Sequence, residues 1–272
     1  MRSCPRHHRG RPKTFRSRSS HGSQLLIRTR RNERVNSIPA SEALVPSDTT
    51  SLAPCVVLCD LDGTLLDTER TWLETVCAVV ADLGGIASAE LISRLEGATV
   101  AQAGELIRAE LRSPLSERTI GELLEEASLT ALEGTIEWCP GAEEMLAGLR
   151  AAGIPMALVT SSSRRWLETA ARHVDLSAFS YFVTADDVPA TKPDPAPYRI
   201  AASLLGRESA ECVVFEDSEV GLRAALAAGC TAVLVRAEDT SWAEHADAVV
   251  PDLRGATPVW VRALAARRPA RR

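Results

Sequence analysis

The stretch CVVLCDLDGT, residues 55–64, runs an apolar segment directly into two acids, Asp60 and Asp62, followed by Gly63 and Thr64. A short apolar run broken by glycine predicts a buried strand that ends at the first aspartate. A carboxylate at such an end loses hydration unless a cation or hydrogen bonds compensate it. The Asp60-Leu61-Asp62 pair therefore implies a metal or strong donors close by. Gly63 lets the chain turn away and leaves the backbone open to a ligand. An exposed Asx turn would use the same residue types, so the pair gains meaning from what else reaches the same place.

Lysine usage supplies the second signal. Of 31 basic residues only Lys13 and Lys192 are lysines, and the rest are arginine. Lys192 is the only lysine after residue 50 and sits in Thr191-Lys192-Pro193-Asp194-Pro195. An ammonium is a compact charge on a thin stem and enters a narrow pocket that a planar guanidinium does not fit. Lys192 is accordingly expected to neutralise a phosphate or carboxylate rather than to be a solvated loop lysine.

Charge divides the chain near residue 50. Residues 1–50 carry eleven Lys or Arg against Glu33, Glu42 and Asp48, a net +8, whereas the remainder is −13. This leader is rich in Ser and Pro, lacks apolar periodicity and is expected to be disordered. It reads as an upstream extension without a folded role; an organelle transit peptide or a nucleic-acid-binding arm would share its composition. No apolar stretch reaches membrane-spanning length. The seven cysteines are odd in number and form no CxxC pair, and several lie in apolar runs, as expected of buried thiols in a reducing cytoplasm.

Along the body, apolar runs at 56–59, 156–160, 181–184, 212–215, 232–235 and 248–250 alternate with helical patterns at 142–152, 165–173, 196–205 and 220–228. Gly153, Gly206 and Gly229 follow three of these helices as stops. The pattern predicts an α/β fold, a Rossmann-like parallel sheet covered by helices on both faces. Residues 68–136 read as helices only, at 71–83, 90–95, 100–111 and 117–132. This is more than one crossover needs and suits a helical cap over the site. The expected organisation is a core of 54–67 and 137–255, a cap of 68–136, and a C-terminal helix with an Arg-rich tail at 256–272.

In a parallel sheet, ligands bind beyond the carboxyl ends of the strands. That edge would collect Asp60 and Asp62, Thr160-Ser161-Ser162-Ser163, the loop to Lys192, and Glu216-Asp217-Ser218. Singly, a Ser run is usually a helix N-cap and a Glu-Asp pair a helix's acidic first turn. Their recurrence at one strand end after another exceeds what capping requires.

These residues resemble the haloacid dehalogenase-like phosphohydrolases, with Asp60-Leu61-Asp62-Gly63-Thr64, Thr160-Ser161, Lys192-Pro193 and Glu216-Asp217 similar to the four family motifs. Asp67-Thr68-Glu69, Pro140-Gly141, Asp194-Pro195 with Tyr198, and Phe215 to Ser218 with Gly221 look like the subgroup of β-phosphoglucomutase and small sugar-phosphate phosphatases, whose members carry an α-helical cap. The resemblance implies Asp60 as nucleophile forming an aspartyl-phosphate and Asp62 as general acid and base. It also implies phosphate binding by Thr160, Ser161 and Lys192, with Mg²⁺ held by Asp60, Asp62 through its carbonyl, Glu216 and Asp217.

Departures from relatives narrow the activity. Phosphonoacetaldehyde-type relatives need a cap lysine, and residues 66–150 contain none. Dehalogenase relatives lack the second aspartate, here Asp62. Where β-phosphoglucomutase has a phosphate-gripping cap arginine, Gly97-Ala98-Thr99-Val100-Ala101 places Val100. The expected activity is Mg²⁺-dependent hydrolysis of a small phosphorylated metabolite by a cytoplasmic monomer. A sugar-phosphate mutase is the alternative, and a nucleic-acid-binding protein a distant one.

Overall fold

The protein, analysed as a computed structural model, is described for residues 55–95, 98–134, 136–236 and 241–267, and for the backbone of 24–26 and 37–39. Its strands are β1 (Gln24–Leu26), β2 (Ser37–Pro39), β3 (Val56–Cys59), β4 (Met156–Val159), β5 (Tyr181–Val183), β6 (Cys212–Glu216), β7 (Thr231–Val235) and β8 (Ala248–Val250). Its helices are α1 (Glu69–Asp82), α2 (Ala89–Leu95), α3 (Val100–Leu111), α4 (Glu117–Ala131), α5 (Ala142–Ala151), α6 (Arg164–Ala170), α7 (Ala196–Leu204), α8 (Glu219–Ala228) and α9 (Pro258–Ala266).

Every residue of β3, β4, β6 and β7 is buried, as their continuous apolar sequences require of strands covered on both faces. Alternation sends Val57 and Cys59 to one face, against Leu146 and Leu149 of α5, Trp166 and Leu167 of α6, and Val261 of α9. Val56 and Leu58 face the other side, against Tyr198 and Ala201 of α7 and Leu222 and Ala225 of α8. Each such fully buried Val or Leu contributes about 1.5–3 kcal/mol relative to exposure. The result is the expected three-layer α/β sandwich.

The sheet order is β2-β1-β8-β7-β6-β3-β4-β5. The six strands from β8 to β5 are parallel. The chain starts its parallel core in β3, moves outward through β4 and β5, then returns to β6 on the opposite side. This reversal leaves a crevice beyond the carboxyl end of β3, the usual ligand position in an open α/β sheet. The expectation of a structureless leader is corrected at six residues. β1 and β2 pair antiparallel with each other, and Leu26 of β1 pairs with Val249. The outer edge of β8 offers backbone groups that such a segment can satisfy. The rest of the leader and the Arg-rich tail beyond residue 267 lie outside the described residues. No helix among the described residues is long and apolar enough to cross a membrane.

Helices α1 to α4 leave and rejoin the sheet through two adjacent stems. The Asp67 N–H donates to the Glu137 carbonyl at 2.9 Å, and the Cys139 N–H to that of Leu65 at 2.8 Å. These helices bury a core of their own: Val76 and Val80 of α1, Leu91 and Leu95 of α2, Ile107 of α3, and Ile120 and Leu124 of α4. Thr99 and Gln102 form a capping box that starts α3, and Ser116 caps α4. Where α3 meets α4, a Cβ on Gly104 would lie 2.3 Å from the Glu117 carbonyl oxygen. Backbone cannot yield as a flexible side-chain end can. Gly104→Val is therefore expected to lower the unfolding free energy by about 2 kcal/mol, read from denaturant unfolding against wild type; an unchanged midpoint would show that the contact is not tight.

Candidate active site

β3 ends at Cys59, so Asp60 emerges at the crevice, fixed by its N–H bond to the Phe215 carbonyl of β6 at 3.0 Å. Asp60 is buried, as is Lys192, whose ammonium forms ion pairs with Asp60 and with Glu216, the latter at 2.6 Å. The ammonium also donates to the Val159 carbonyl at 2.9 Å. Lys192 thus ties the ends of β3, β4 and β6 together. Burial acts to lower its pKa, but the Asp60 and Glu216 carboxylates outweigh it and hold the group charged.

Glu216 is fully buried, and both its carboxylate oxygens are engaged. Oε1 accepts from Lys192 and from the Tyr198 hydroxyl of α7, and Oε2 accepts from the Ser218 hydroxyl at 3.1 Å. Gly221 is the residue that makes room for it, since a Cβ there would fall 2.0 Å from the carboxylate. Its neighbour Asp217 is less engaged: Oδ1 accepts from Thr64 at 3.0 Å. Burial, reinforced by the Glu216 charge, pushes the Asp217 carboxyl up to about 7. Its Oδ2 occupies the space beside Gly63, where a Cβ would approach to 2.2 Å. Gly63 also has φ +80°, so both the turn and the close approach require glycine.

Asp62 stands in a different setting. Its Oδ1 accepts from Thr68 at 2.8 Å, and its Oδ2 from Thr160 at 3.2 Å and from Ser162 at 2.8 Å. Burial raises its pKa and the three hydroxyls work against that rise. The Thr160 hydroxyl also accepts from the Ser162 N–H at 2.9 Å, closing the loop after β4 around Asp62. Ser163 caps α6, so the Ser run serves both the cap and the site.

Asp60, Asp62, Thr160, Ser161, Lys192 and Asp217 all line one cavity of about 460 Å³ between sheet edge and cap helices. Glu216 lies behind Lys192. Sequence reasoning assigned no role to Thr64, Thr68, Ser162 or Tyr198, whose bonds hold the acids; hydroxyls near a turn carry no signal of which carboxylate they will meet. It also missed Arg236, at the end of β7, which lines the cavity, stacks on Trp242 at 5.5 Å and donates to the Asp217 carbonyl at 3.4 Å. Arg164 pairs instead with Asp187. Cys139, whose thiol donates to the Gly63 carbonyl at 3.5 Å, stands close to these acids; burial and the neighbouring carboxylates push it up to about 12, unsuited to a nucleophile.

Asp60, Glu216 and Asp217 offer carboxylate oxygens within 4.8 Å of one another. With one ammonium among three carboxylates, two of them buried and Asp217 half-buried, the cluster fits a divalent metal: hard oxygen donors, unbalanced negative charge, and an Asp217 carboxyl raised by desolvation and by the Glu216 charge beside it.

The sequence profile of the haloacid dehalogenase-like hydrolases matches residues 57–235. Hexitol phosphatase A of Escherichia coli (strain K12) is 36% identical over 207 residues, covering 74% of this chain and 92% of the relative. Fructose-1-phosphate phosphatase YqaB of the same organism is 31% identical over 180 residues, covering 65% of this chain and 94% of the relative. Among solved structures, CbbY from Rhodobacter sphaeroides in complex with phosphate superposes with a TM-score of 0.64 at 28% identity, covering 74% of this chain and 96% of that one. β-Phosphoglucomutase from Clostridium difficile shares the fold at a TM-score of 0.71 and 18% identity, over 79% and 98% of the two chains. The family match thus runs from β3 to β7, across the strands whose ends form this crevice, and the chain belongs to the haloacid dehalogenase-like hydrolases.

Proposed function

We propose that this hydrolase is a Mg²⁺-dependent phosphatase of a small phosphorylated metabolite, a sugar phosphate or related monoester. The observation that carries the reading is the contrast between its two aspartates. Asp60 is held beside the Lys192 ammonium, whereas Asp62 is held by three hydroxyls. Carboxylates in different surroundings can take different roles. Relatives named for hexitol phosphate and fructose 1-phosphate hydrolysis support the substrate class.

Asp60 attacks phosphorus, forming the aspartyl-phosphate as the ester oxygen leaves. Asp62 gives that oxygen its proton, then takes one from the water that attacks the same phosphorus and frees Asp60. Lys192, Thr160 and the Ser161 N–H hold phosphoryl oxygens where negative charge gathers. The Thr160 hydroxyl, bonded here to Asp62, turns to the phosphoryl group only when the ester is present. Asp60, the Asp62 carbonyl and Asp217 would hold Mg²⁺, with Glu216 fixing Lys192 and adding charge from behind. Bound there, the ion would neutralise phosphoryl oxygens and orient the ester for in-line attack. The cap of 68–136 excludes water from the site and selects the leaving group. Val100 lines the cavity and itself offers a distal phosphate no charge; the arginines of that wall are Arg94 and Arg236, so the products decide between hydrolysis and phosphate migration.

Three outcomes follow. Asp60→Asn abolishes phosphate release from a panel of sugar 1- and 6-phosphates, and retained turnover would exclude Asp60 as nucleophile. Asp62→Asn lowers kcat by about 10²–10⁴-fold; a loss confined to KM would remove its acid–base role. Chelation with EDTA stops phosphate release and added Mg²⁺ restores it, with free phosphate and free sugar as products; an isomerised phosphate ester as main product would establish a mutase instead.

A further inference from the structure

Helix α4 belongs to the cap, and its residues Glu125 and Ser128, with Leu132 at its C-cap, all line the cavity. Spacings of three and four place them on one face of a helix. Two of the three are polar, on the face of a cap helix that could have been apolar throughout. Ser128 is 94% buried, at 6% relative exposure, and its hydroxyl has no hydrogen-bond partner among the described residues. A mid-helix serine commonly returns its hydroxyl to the carbonyl one turn back, and this one does not. Ser128 is among the residues that line the cavity, which places this unpaired side chain at the cavity wall. A buried polar group left without a partner is costly, and a ligand that supplies the partner recovers that cost on binding.

Glu125 is half engaged. Its Oε1 accepts from the Ser163 hydroxyl at 2.6 Å, a bond from cap to core beside the loop of Thr160 and Ser161. Its Oε2 makes no hydrogen bond to a described residue, and Arg165, paired with Glu126, acts on it only through space, so one lone-pair face of the carboxylate remains for a donor. Trp72 of α1 and Trp166 of α6 line the same space and offer apolar ring surface. The two arginines of the cavity wall stand on other elements, Arg94 on α2 and Arg236 after β7. The α4 face therefore presents an acceptor carboxylate, a hydroxyl that both donates and accepts, and no cation.

We infer that Glu125 and Ser128 form a hydroxyl-reading subsite that makes the phosphatase select monoesters whose leaving group is a neutral polyhydroxylated chain or ring. Alcohol hydroxyls donate to the free Glu125 oxygen and exchange hydrogen bonds with Ser128, while carbon-bound faces of the leaving group lie against the tryptophan rings. A negatively charged leaving group would meet the Glu125 charge, and an aryl group would leave Ser128 unpaired. The inference rests on the phosphatase reading and names the part of the substrate that the cap recognises. Neither residue touches phosphorus in the reaction described above; they are specificity-determining contacts.

The test compares kcat/KM for sorbitol 6-phosphate with that for p-nitrophenyl phosphate, which has no alcohol hydroxyl, in wild type, Glu125→Gln and Ser128→Ala with Mg²⁺ present. Glu125→Gln keeps an oxygen to accept from Ser163, and Ser128→Ala keeps helix propensity, so both are expected to fold, checked by circular dichroism and thermal unfolding. The ratio of sorbitol 6-phosphate to p-nitrophenyl phosphate is expected to fall by about tenfold in each variant, chiefly through KM for the polyol ester. An equal loss on both substrates, or no change in the ratio, would overturn the subsite. Absence of phosphate release from both esters in wild type would instead count against the phosphatase reading itself.

Discussion

The constraint that organises this molecule is the cost of keeping several carboxylates dry at the end of one sheet. Asp60, Glu216 and Asp217 converge where β3 and β6 end, the first two buried and the third half-buried, and a single ammonium, Lys192, stands among them. An uncompensated charge there would neutralise by proton uptake instead of persisting. Most of the local architecture serves that compensation. Tyr198 and Ser218 satisfy Glu216, Thr64 satisfies one oxygen of Asp217, and two absent side chains, at Gly63 and Gly221, leave room for the acids. The remaining imbalance is the chemical reason the cluster suits a divalent metal and a phosphate together.

The same packing divides labour among the acids. Glu216 sits behind the ammonium with every oxygen used, so it acts through Lys192, whereas Asp217, which lines the cavity, has one carboxylate oxygen without a hydrogen bond among the described residues. Asp60 and Asp62, separated by one residue in the chain, meet wholly different partners because the backbone turns at Gly63 between strand and stem. A parallel sheet with a reversal in strand order makes such a meeting possible: β3 has β4 on one side and β6 on the other, and each contributes its strand end to one crevice.

The helices between the stems form a second, independently packed unit. They bury their own apolar core and present a mixed wall to the crevice. The contact between Glu125 of α4 and Ser163 at the start of α6 joins that wall to the phosphate-side loop. On the proposed function, substrate selection and the chemistry rest on different cores, an arrangement in which leaving-group preference can change while the sheet edge does not.

The sequence alone determined the class of fold, the strand ends at which polar residues gather, and Lys192 as the cation among them. Continuous apolar runs admit only strands covered on both faces, and a lone lysine among arginines marks a space too narrow for a guanidinium. Helix ends differed from the expected limits by a few residues, as at α6, which begins at Arg164 and ends at Ala170, because end turns are set by local capping. What only the tertiary structure decided is the identity of the partners. Thr68, Thr160 and Ser162 meet on Asp62 from two segments about 90 to 100 residues apart in the chain, and Ser128 is left unpaired on a helix whose period permits several faces inward. The two strands in the leader were equally beyond the sequence, since the pairing of Leu26 with Val249 depends on the open edge of β8, which only the fold creates. Periodicity fixes which residues share a face; only the packing of one element on another fixes what that face meets.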